Sequence, residues 1–94
     1  MIPYSKQSIS YDDIKEVTKV LKSKFLTQGN ILDKFEKKIS KYVGSKYAVA
    51  VSSASAGLHI SCLVLNLKKN DILWTVPNTF IASASCGLHC GAKI

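Results

Sequence analysis

A run of small polar residues is the part of this sequence best suited to chemistry. Ser52-Ser53-Ala54-Ser55 follows a short, valine-rich apolar segment and precedes an apolar segment of helical length. The first turn of a helix presents unpaired backbone N–H groups and a partial positive charge, and small residues let an anion approach them. The same serines would serve equally well as an ordinary helix cap. The local pattern therefore leaves a phosphate site and a simple cap both open.

Two segments carry soft metal ligands at helical spacing. His59 and Cys62 lie three residues apart, and Cys86, His89 and Cys90 share one face of a later segment. Five such side chains could hold zinc in principle. However, no C-x-x-C pair is present, and both segments are apolar enough to bury these residues as core. We predict no metal site and three free, buried thiols, and we keep a small zinc-binding domain as the minor alternative.

Two amphipathic helices are predicted in the first half of the chain. Ser10 and Asp13 form an N-cap with an acid at the third helical position, ahead of a helix that runs to about Lys24. After a break at 26–30, a second helix is expected to close at Gly44, a plausible left-handed C-terminal position. Its inward face is predicted to consist of Leu32, Phe35, Ile39 and Tyr42.

Strands and helices alternate in the second half. Buried strands are predicted at 47–51 and 72–76, with a third beginning at 92–94. Helices are predicted from about residue 57 to 67 and from 79 to 90. The order α-α-β-α-β-α-β predicts an α/β protein with a parallel or mixed sheet and right-handed crossovers. Because the third strand only begins at 92–94, we interpret the 94 residues as part of a larger domain.

The composition argues against nucleic-acid and membrane partners. The net charge is +7, but all thirteen basic residues are lysine, whereas nucleic-acid recognition relies heavily on arginine. The lysines also alternate with acids, as on solvated helix faces. No apolar run approaches the length of a membrane span, and the first residues do not have the pattern of a signal peptide. We therefore expect a cytoplasmic protein.

Several stretches, in order and with matching spacing, resemble the DegT/DnrJ/EryC1/StrS family of sugar aminotransferases. The resemblance implies an α/β fold-type I transferase that depends on pyridoxal 5'-phosphate. Residues 1–30 would form an N-terminal arm and first helix, and 31–94 would begin the cofactor-binding large domain. The stretches that carry the resemblance are Leu26–Gly29, Phe35-Glu36, Tyr42–Gly44, Tyr47–His59, Val76–Ala84 and Gly91–Lys93.

The resemblance assigns cofactor roles to four residues. In the family, a Ser-Gly-Thr or Ser-Ala-Thr turn holds the cofactor phosphate, so Ala54 and Ser55 would be the phosphate contacts, with Ser53 beside them. Ala54 stands where glycine is common and Ser55 where threonine is usual, and both keep a small residue and a hydroxyl. Phe80 matches the aromatic residue that lies over the pyridine ring. Without the resemblance, a core phenylalanine within a helix would be the better interpretation.

The first residues are most similar to the branch of the family that acts in pseudaminic acid biosynthesis. The similarity implies amination of a UDP-linked 4-keto-6-deoxy-N-acetylamino sugar, with L-glutamate as donor, in a homodimer. Tyr4 and the segment Lys24, Phe25, Leu26 and Thr27 would then lie near the nucleotide sugar. An ordinary N-terminal arm and a helix-ending loop explain these residues equally well.

The resemblance also implies that this chain contains no catalytic residue. The family's Schiff-base lysine is expected beyond Ile94, and Lys93 stands where the family has a strand-opening residue. We therefore predict that the 94 residues alone do not catalyse transamination. The remaining alternative is a stand-alone phosphate-binding or interaction module without catalysis.

Overall fold

The computed structural model describes residues 5–27 and 29–94, and four helices account for most of their regular structure. They are α1 (Tyr11–Leu21), α2 (Asn30–Val43), α3 (Ala54–Val64) and α4 (Ala82–His89). The chain divides into two compact units. One unit holds the described residues up to Val49, with α1 and α2, and the other is Ala50–Ile94, with α3 and α4.

The ends of α1 and α2 follow the capping signals in the sequence. The Ser10 N–H donates to the Asp13 carboxylate at 2.8 Å, and the Asp13 N–H donates to the Ser10 hydroxyl at 3.2 Å, which completes a capping box. The Ser10 backbone N–H and the Ser10 hydroxyl, the latter at 2.7 Å, both donate to the Asp13 carboxylate and lower its pKa. Helix α2 ends at Gly44, whose φ of 72° is left-handed as predicted.

Helix α1 ends earlier than predicted, at Leu21 rather than about Lys24. The Ser23 N–H donates to the Val20 carbonyl at 2.9 Å, which tightens the last turn. The Ser23 hydroxyl donates to the Phe25 carbonyl at 3.1 Å and bends the chain away from the helix axis. The spacing of apolar residues does not reveal this helix end. A side-chain hydrogen bond to the backbone competes with the helix without changing the apolar pattern.

The predicted inward face of α2 is not buried. Leu32 is 50% exposed and Phe35 is 54% exposed, and Ile39 and Tyr42 are exposed as well. No residue of α1 or α2 is buried among those described. Amphipathic spacing indicates which side of a helix is apolar, but it carries no information on which segment covers that side.

Helix α3 begins three residues before its predicted start. The Ser53 hydroxyl accepts a hydrogen bond from the Ala56 N–H at 3.2 Å, which makes Ser53 the N-cap and places Ala54 and Ser55 in the first turn. Helix α4 begins at Ala82, three residues later than predicted; its N-cap is Ile81, whose carbonyl accepts from the Ser85 N–H at 3.0 Å.

The predicted strands are the part of the fold that the structure does not show. No strand is assigned in 5–27 or 29–94, and Val49 and Trp74 in the predicted buried strands are exposed. One isolated parallel bridge joins Ile72 to Lys93. There the Lys93 N–H donates to the backbone carbonyl of Asp71 at 2.9 Å, and the Leu73 N–H donates to the backbone carbonyl of Lys93 at 2.8 Å. A strand exists only where a neighbour completes its ladder, so a sequence pattern for a strand is insufficient without that neighbour.

The buried residues of the second unit are small. They are Cys62, Ala82, Cys86, Gly87 and Ala92, and they lie on α3, on α4 and in the segment after α4. Helices α3 and α4 pack against each other. Among the described residues, no helix has both the length and the apolar character that crossing a bilayer requires.

Candidate functional site

The N-terminus of α3 is the best-formed candidate site in the second unit. Ser53 is in an extended conformation, with φ −159° and ψ 160°, and turns the chain into the helix. Its hydroxyl accepts from the Ala56 N–H, and its carbonyl accepts from the Gly57 N–H at 3.1 Å. The N–H groups of Ala54 and Ser55 have no hydrogen-bond partner within the part of the chain that the structure describes.

Two adjacent unpaired N–H groups at a helix N-terminus form an anion site. The partial positive charge of the helix end adds to them, and α3 carries no acidic side chain in its first turn that would oppose an anion. Ser53, Ala54 and Ser55 are all exposed, so a phosphate could reach this backbone. The donor set therefore fits the phosphate group of pyridoxal 5'-phosphate.

Phe80 lies in the turn that leads into α4, not within the helix as predicted. Its side chain is 72% exposed, so it is not a core phenylalanine among the described residues. The neighbouring Thr79 and Ser83 hydroxyls share a hydrogen bond of 2.9 Å across the start of the helix. The aromatic face of Phe80 is thus available to a flat ligand.

A small polar crevice between α3 and α4 was not expected from the sequence. It has a volume of about 210 Å³ and includes Ser55, His59, Ser85 and His89 in its lining. The rings of His59 and His89 lie 5.4 Å apart at an interplanar angle of 53°. The spacing of Ser55 and His59, four residues apart on one helix face, is the signal that could have indicated it.

The sequence-predicted zinc ligands do not form a metal site in the described part of the chain. No group of three or more histidine, cysteine, aspartate or glutamate side chains there converges on a point that could hold an ion. Cys62, Cys86 and Cys90 are free, as predicted. Cys62 and Cys86 are buried, whereas Cys90 is only partly so, which corrects the prediction of three buried thiols.

The predicted substrate residues of the first unit lie where α1 gives way to α2. Lys24 and Phe25 line a cavity of about 590 Å³, which also contains Lys19 and Lys34. The Lys24 ammonium lies 5.5 Å from the centre of the Phe25 ring, within the range of a cation–π contact. Leu26 lines an adjoining apolar cavity, and Thr27 follows it in the same bend. Tyr4 lies outside the described residues.

Comparison with known proteins gives one consistent result. Residues 7–94 match the DegT/DnrJ/EryC1/StrS aminotransferase family. The chain is 42% identical over 94 residues to the UDP-4-amino-4,6-dideoxy-N-acetyl-beta-L-altrosamine transaminase of Campylobacter jejuni subsp. jejuni serotype O:23/36, covering all of this chain and 25% of that protein. It is 37% identical over 91 residues to the spore coat polysaccharide biosynthesis protein SpsC of Bacillus subtilis, covering 97% of this chain and 23% of that one.

A solved structure agrees with the sequence matches. The X-ray structure of the aminotransferase from Psychrobacter cryohalolentis superimposes with a TM-score of 0.81 at 30% identity, over 96% of this chain and 24% of that one. The chain thus spans about a quarter of the length of the relatives it matches. Neither a stand-alone module nor a zinc domain is favoured, since the match to the family runs through nearly all of the chain.

Proposed function

Because the chain belongs to the DegT/DnrJ/EryC1/StrS aminotransferase family, we propose that the protein it forms part of is a nucleotide-sugar aminotransferase dependent on pyridoxal 5'-phosphate. The reaction would move an amino group from L-glutamate to a UDP-linked 4-keto-6-deoxy-N-acetylamino sugar. Two relatives named as UDP-4-amino-4,6-dideoxy-N-acetyl-beta-L-altrosamine transaminases, at 42% and 38% identity, support this substrate class and a role in pseudaminic acid biosynthesis. A homodimer and a cytoplasmic location remain part of the proposal.

The observation that carries the proposal is the pair of unpaired N–H groups at the start of α3. In the proposed site, the N–H groups of Ala54 and Ser55 donate to the cofactor phosphate, and the Ser55 hydroxyl adds a third donor. The positive end of α3 favours the charged phosphate. Phe80 covers one face of the pyridine ring and excludes water from it. When bound, pyridoxal phosphate supplies a reactive carbonyl and an electron-withdrawing ring.

In the first unit, the predicted substrate residues Lys24 to Thr27 would bind the nucleotide sugar through charge and apolar contact. Lys24 and Lys34 line the 590 Å³ cavity and favour the diphosphate of a UDP-sugar, while Lys19 in the same lining pairs with Glu16 at 3.7 Å. Phe25 offers an exposed ring for the apolar part of the ligand, and Leu26 and Thr27 continue the same bend. We include Tyr4 on the basis of the resemblance alone. The covalent lysine of the family would come from beyond Ile94.

The proposal is tested by assaying a protein that extends to the full length of the relatives. We expect the purified protein to carry pyridoxal phosphate and to form 2-oxoglutarate from L-glutamate beyond one equivalent per bound cofactor only when the UDP-ketosugar is present. The 94-residue chain, assayed as the control, is expected to form none.

Two outcomes would contradict the proposal at different levels. A protein that binds the cofactor but aminates no UDP-linked ketosugar would overturn the substrate assignment. A protein that neither binds the cofactor nor releases 2-oxoglutarate would overturn the aminotransferase function itself.

A further inference from the structure

The crevice between α3 and α4 contains two histidines to which the proposed function gives no role. His59 and His89 both line it, and their ring centres lie 5.4 Å apart. Ser55 lines the same crevice and also lies in the first turn of α3. The crevice therefore brings a pair of ionisable side chains next to the residues proposed to hold the cofactor phosphate.

The side chain of His59 lies on the phosphate side of its own position on α3. Side chains of an α-helix tilt towards its N-terminus, so each one covers the turn that precedes it. His59 follows Ser55 by four residues, which is one turn along the same helix face, at a Cβ separation of about 5–6 Å. A positive charge on the His59 ring would therefore attract an anion that is bound at Ser55.

No fixed charge on either helix competes with His59. Neither α3 nor α4 contains aspartate, glutamate, lysine or arginine. Among the described residues, the titratable groups that share the crevice with His59 are His89 and the buried thiol of Cys86. Cys62, also buried, is the other titratable residue of α3. The net charge beside Ser55 consequently depends on whether a histidine carries a proton.

The histidine pair can take up one proton without bringing two charges together. His59 is half-buried and His89 is exposed, so solvent protons reach the crevice. Two imidazolium rings whose centres are 5.4 Å apart would repel each other, which favours one charged and one neutral ring. Histidine is the side chain that ordinarily changes its charge between about pH 5 and 8. The crevice can thus gain a single positive charge as the pH falls through this range.

We propose that His59 makes the affinity of the α3 N-terminus for the cofactor phosphate depend on pH, with His89 as its neutral neighbour. This inference rests on the proposed function, in which the phosphate binds at Ala54 and Ser55. Protonated His59 attracts the phosphate, so the contribution of His59 to affinity is present at low pH and is lost as the pH rises. By linkage, the bound phosphate favours the protonated form of His59 to the same extent.

The first test measures cofactor affinity at about pH 6 and about pH 8 in a protein of the relatives' full length. The ligand is pyridoxamine 5'-phosphate, because its amino group forms no covalent bond with a lysine. We expect His59→Gln to weaken binding about fivefold at the lower pH and less than about twofold at the higher pH. The phosphate itself also titrates in this range, but its contribution is common to the parent and the variant.

His89→Gln is the matched control, since it removes the facing ring from α4 and keeps a polar side chain of similar size. This variant should keep the parent protein's difference between the two pH values within about twofold. Equal weakening by His59→Gln at both pH values would indicate a purely structural role and overturn the inference. Loss of the pH difference in His89→Gln but not in His59→Gln would overturn it as well.

A second test uses the unaltered sequence, so it does not depend on how a variant folds. The imidazole resonances of the cofactor-free protein are followed by NMR as the pH is changed, with and without methyl phosphate. We expect methyl phosphate to raise the pH at which His59 gains its proton by about 0.7 unit, which is the same fivefold factor. An unchanged titration of His59 would overturn the inference.

Failure of the proposed function gives a different result. A protein that binds no pyridoxal or pyridoxamine phosphate, but in which methyl phosphate shifts the His59 titration, would contradict the cofactor assignment and support the role of His59 at an anion site. A protein that binds the cofactor with the same pH dependence in the parent and in His59→Gln would leave the proposed function in place and overturn the inference alone.

Discussion

Ser53 shapes the candidate phosphate site by pairing two of the four N–H groups in the first turn of α3. Its hydroxyl satisfies the Ala56 N–H and its carbonyl satisfies the Gly57 N–H, so the only N–H groups left at the start of α3 are those of Ala54 and Ser55. Ser53 is therefore better described as a residue that positions the site than as a contact. The two interpretations of the sequence, helix cap and phosphate site, are compatible, because different residues of the same turn perform them.

At the residue scale, Ala54→Pro tests the backbone donor directly. Proline is favoured at the first helical position and removes only the N–H group, and the extended conformation of Ser53 suits a following proline. A hydrogen bond to a charged group contributes about 1.5–3 kcal/mol, so we expect cofactor affinity in the full-length protein to fall by about tenfold or more. Titration followed by cofactor absorbance measures it.

The matched control for this variant is Ala54→Gly. Glycine keeps the N–H group, so cofactor affinity should stay close to that of the parent protein. Equal affinities for the proline and glycine variants would show that the Ala54 N–H does not bind the phosphate.

The sequence selected individual candidate residues but did not predict their structural surroundings. Ser53, Ala54, Ser55 and Phe80 were selected by resemblance to a family, and the structure places three of them in one helical turn. The placement of Phe80 before α4 was not predicted; the N-cap is Ile81, whose carbonyl accepts the first i to i+4 bond of the helix, from Ser85. The His59–His89 contact could not be predicted, since it depends on how two helices pack.

At the scale of elements, local signals were sufficient for helices and insufficient for strands. The capping box of Ser10 and the left-handed Gly44 are local, so the ends they mark appear where the sequence predicts them. The bridge between Ile72 and Lys93 joins residues far apart in the chain. The bridge is parallel, in agreement with the predicted sheet. How far a strand ladder extends depends on which segments pair, and neither segment alone determines it.

Two glycines on facing helices provide a matched pair of substitutions. A Cβ at Gly87 would lie 2.7 Å from Leu73 Cδ2 and 3.0 Å from Ile94 Cδ1, whereas a Cβ at Gly57 would make an ordinary 3.5 Å contact with Val51. We expect Gly87→Ala to lower the free energy of unfolding by about 1–3 kcal/mol through overpacking. Gly57→Ala should raise it by up to about 1 kcal/mol through helix propensity.

Urea unfolding of both variants, made in a protein of the relatives' full length, measures these changes. The Gly57 variant serves as the control, because it adds the same methyl group to a helix without the close contact. If Gly87→Ala were as stable as the parent, α4 would not pack as closely on Leu73 and Ile94 as the structure shows.

At the scale of the whole chain, the dominant feature is uncovered apolar surface. Large side chains such as Tyr42, Val49 and Trp74 are between 79% and 89% exposed, and the described buried residues are few and small. Patches of this kind mark surfaces that contact other protein. The relatives are about four times as long as this chain.

We expect the 94-residue chain by itself to bind a hydrophobic dye strongly and to self-associate. A protein of the relatives' full length should bind far less dye per mole, because its additional residues cover the apolar faces of α1 and α2. Dye fluorescence and sedimentation of the two proteins side by side measure this difference. A monomeric 94-residue chain with little dye binding and a cooperative urea transition would contradict the expectation.

The lack of charged side chains at both ends of α3 has a practical consequence for work with this protein. With no acid in its first turn and no base in its last, the helix field at Ala54 and Ser55 is not neutralised by residues of the helix itself. We therefore expect sulfate and inorganic phosphate to compete with the proposed cofactor phosphate for the same two N–H groups. The cofactor affinity measured in a titration is consequently expected to depend on the buffer anion. A weakly coordinating anion is the appropriate background electrolyte.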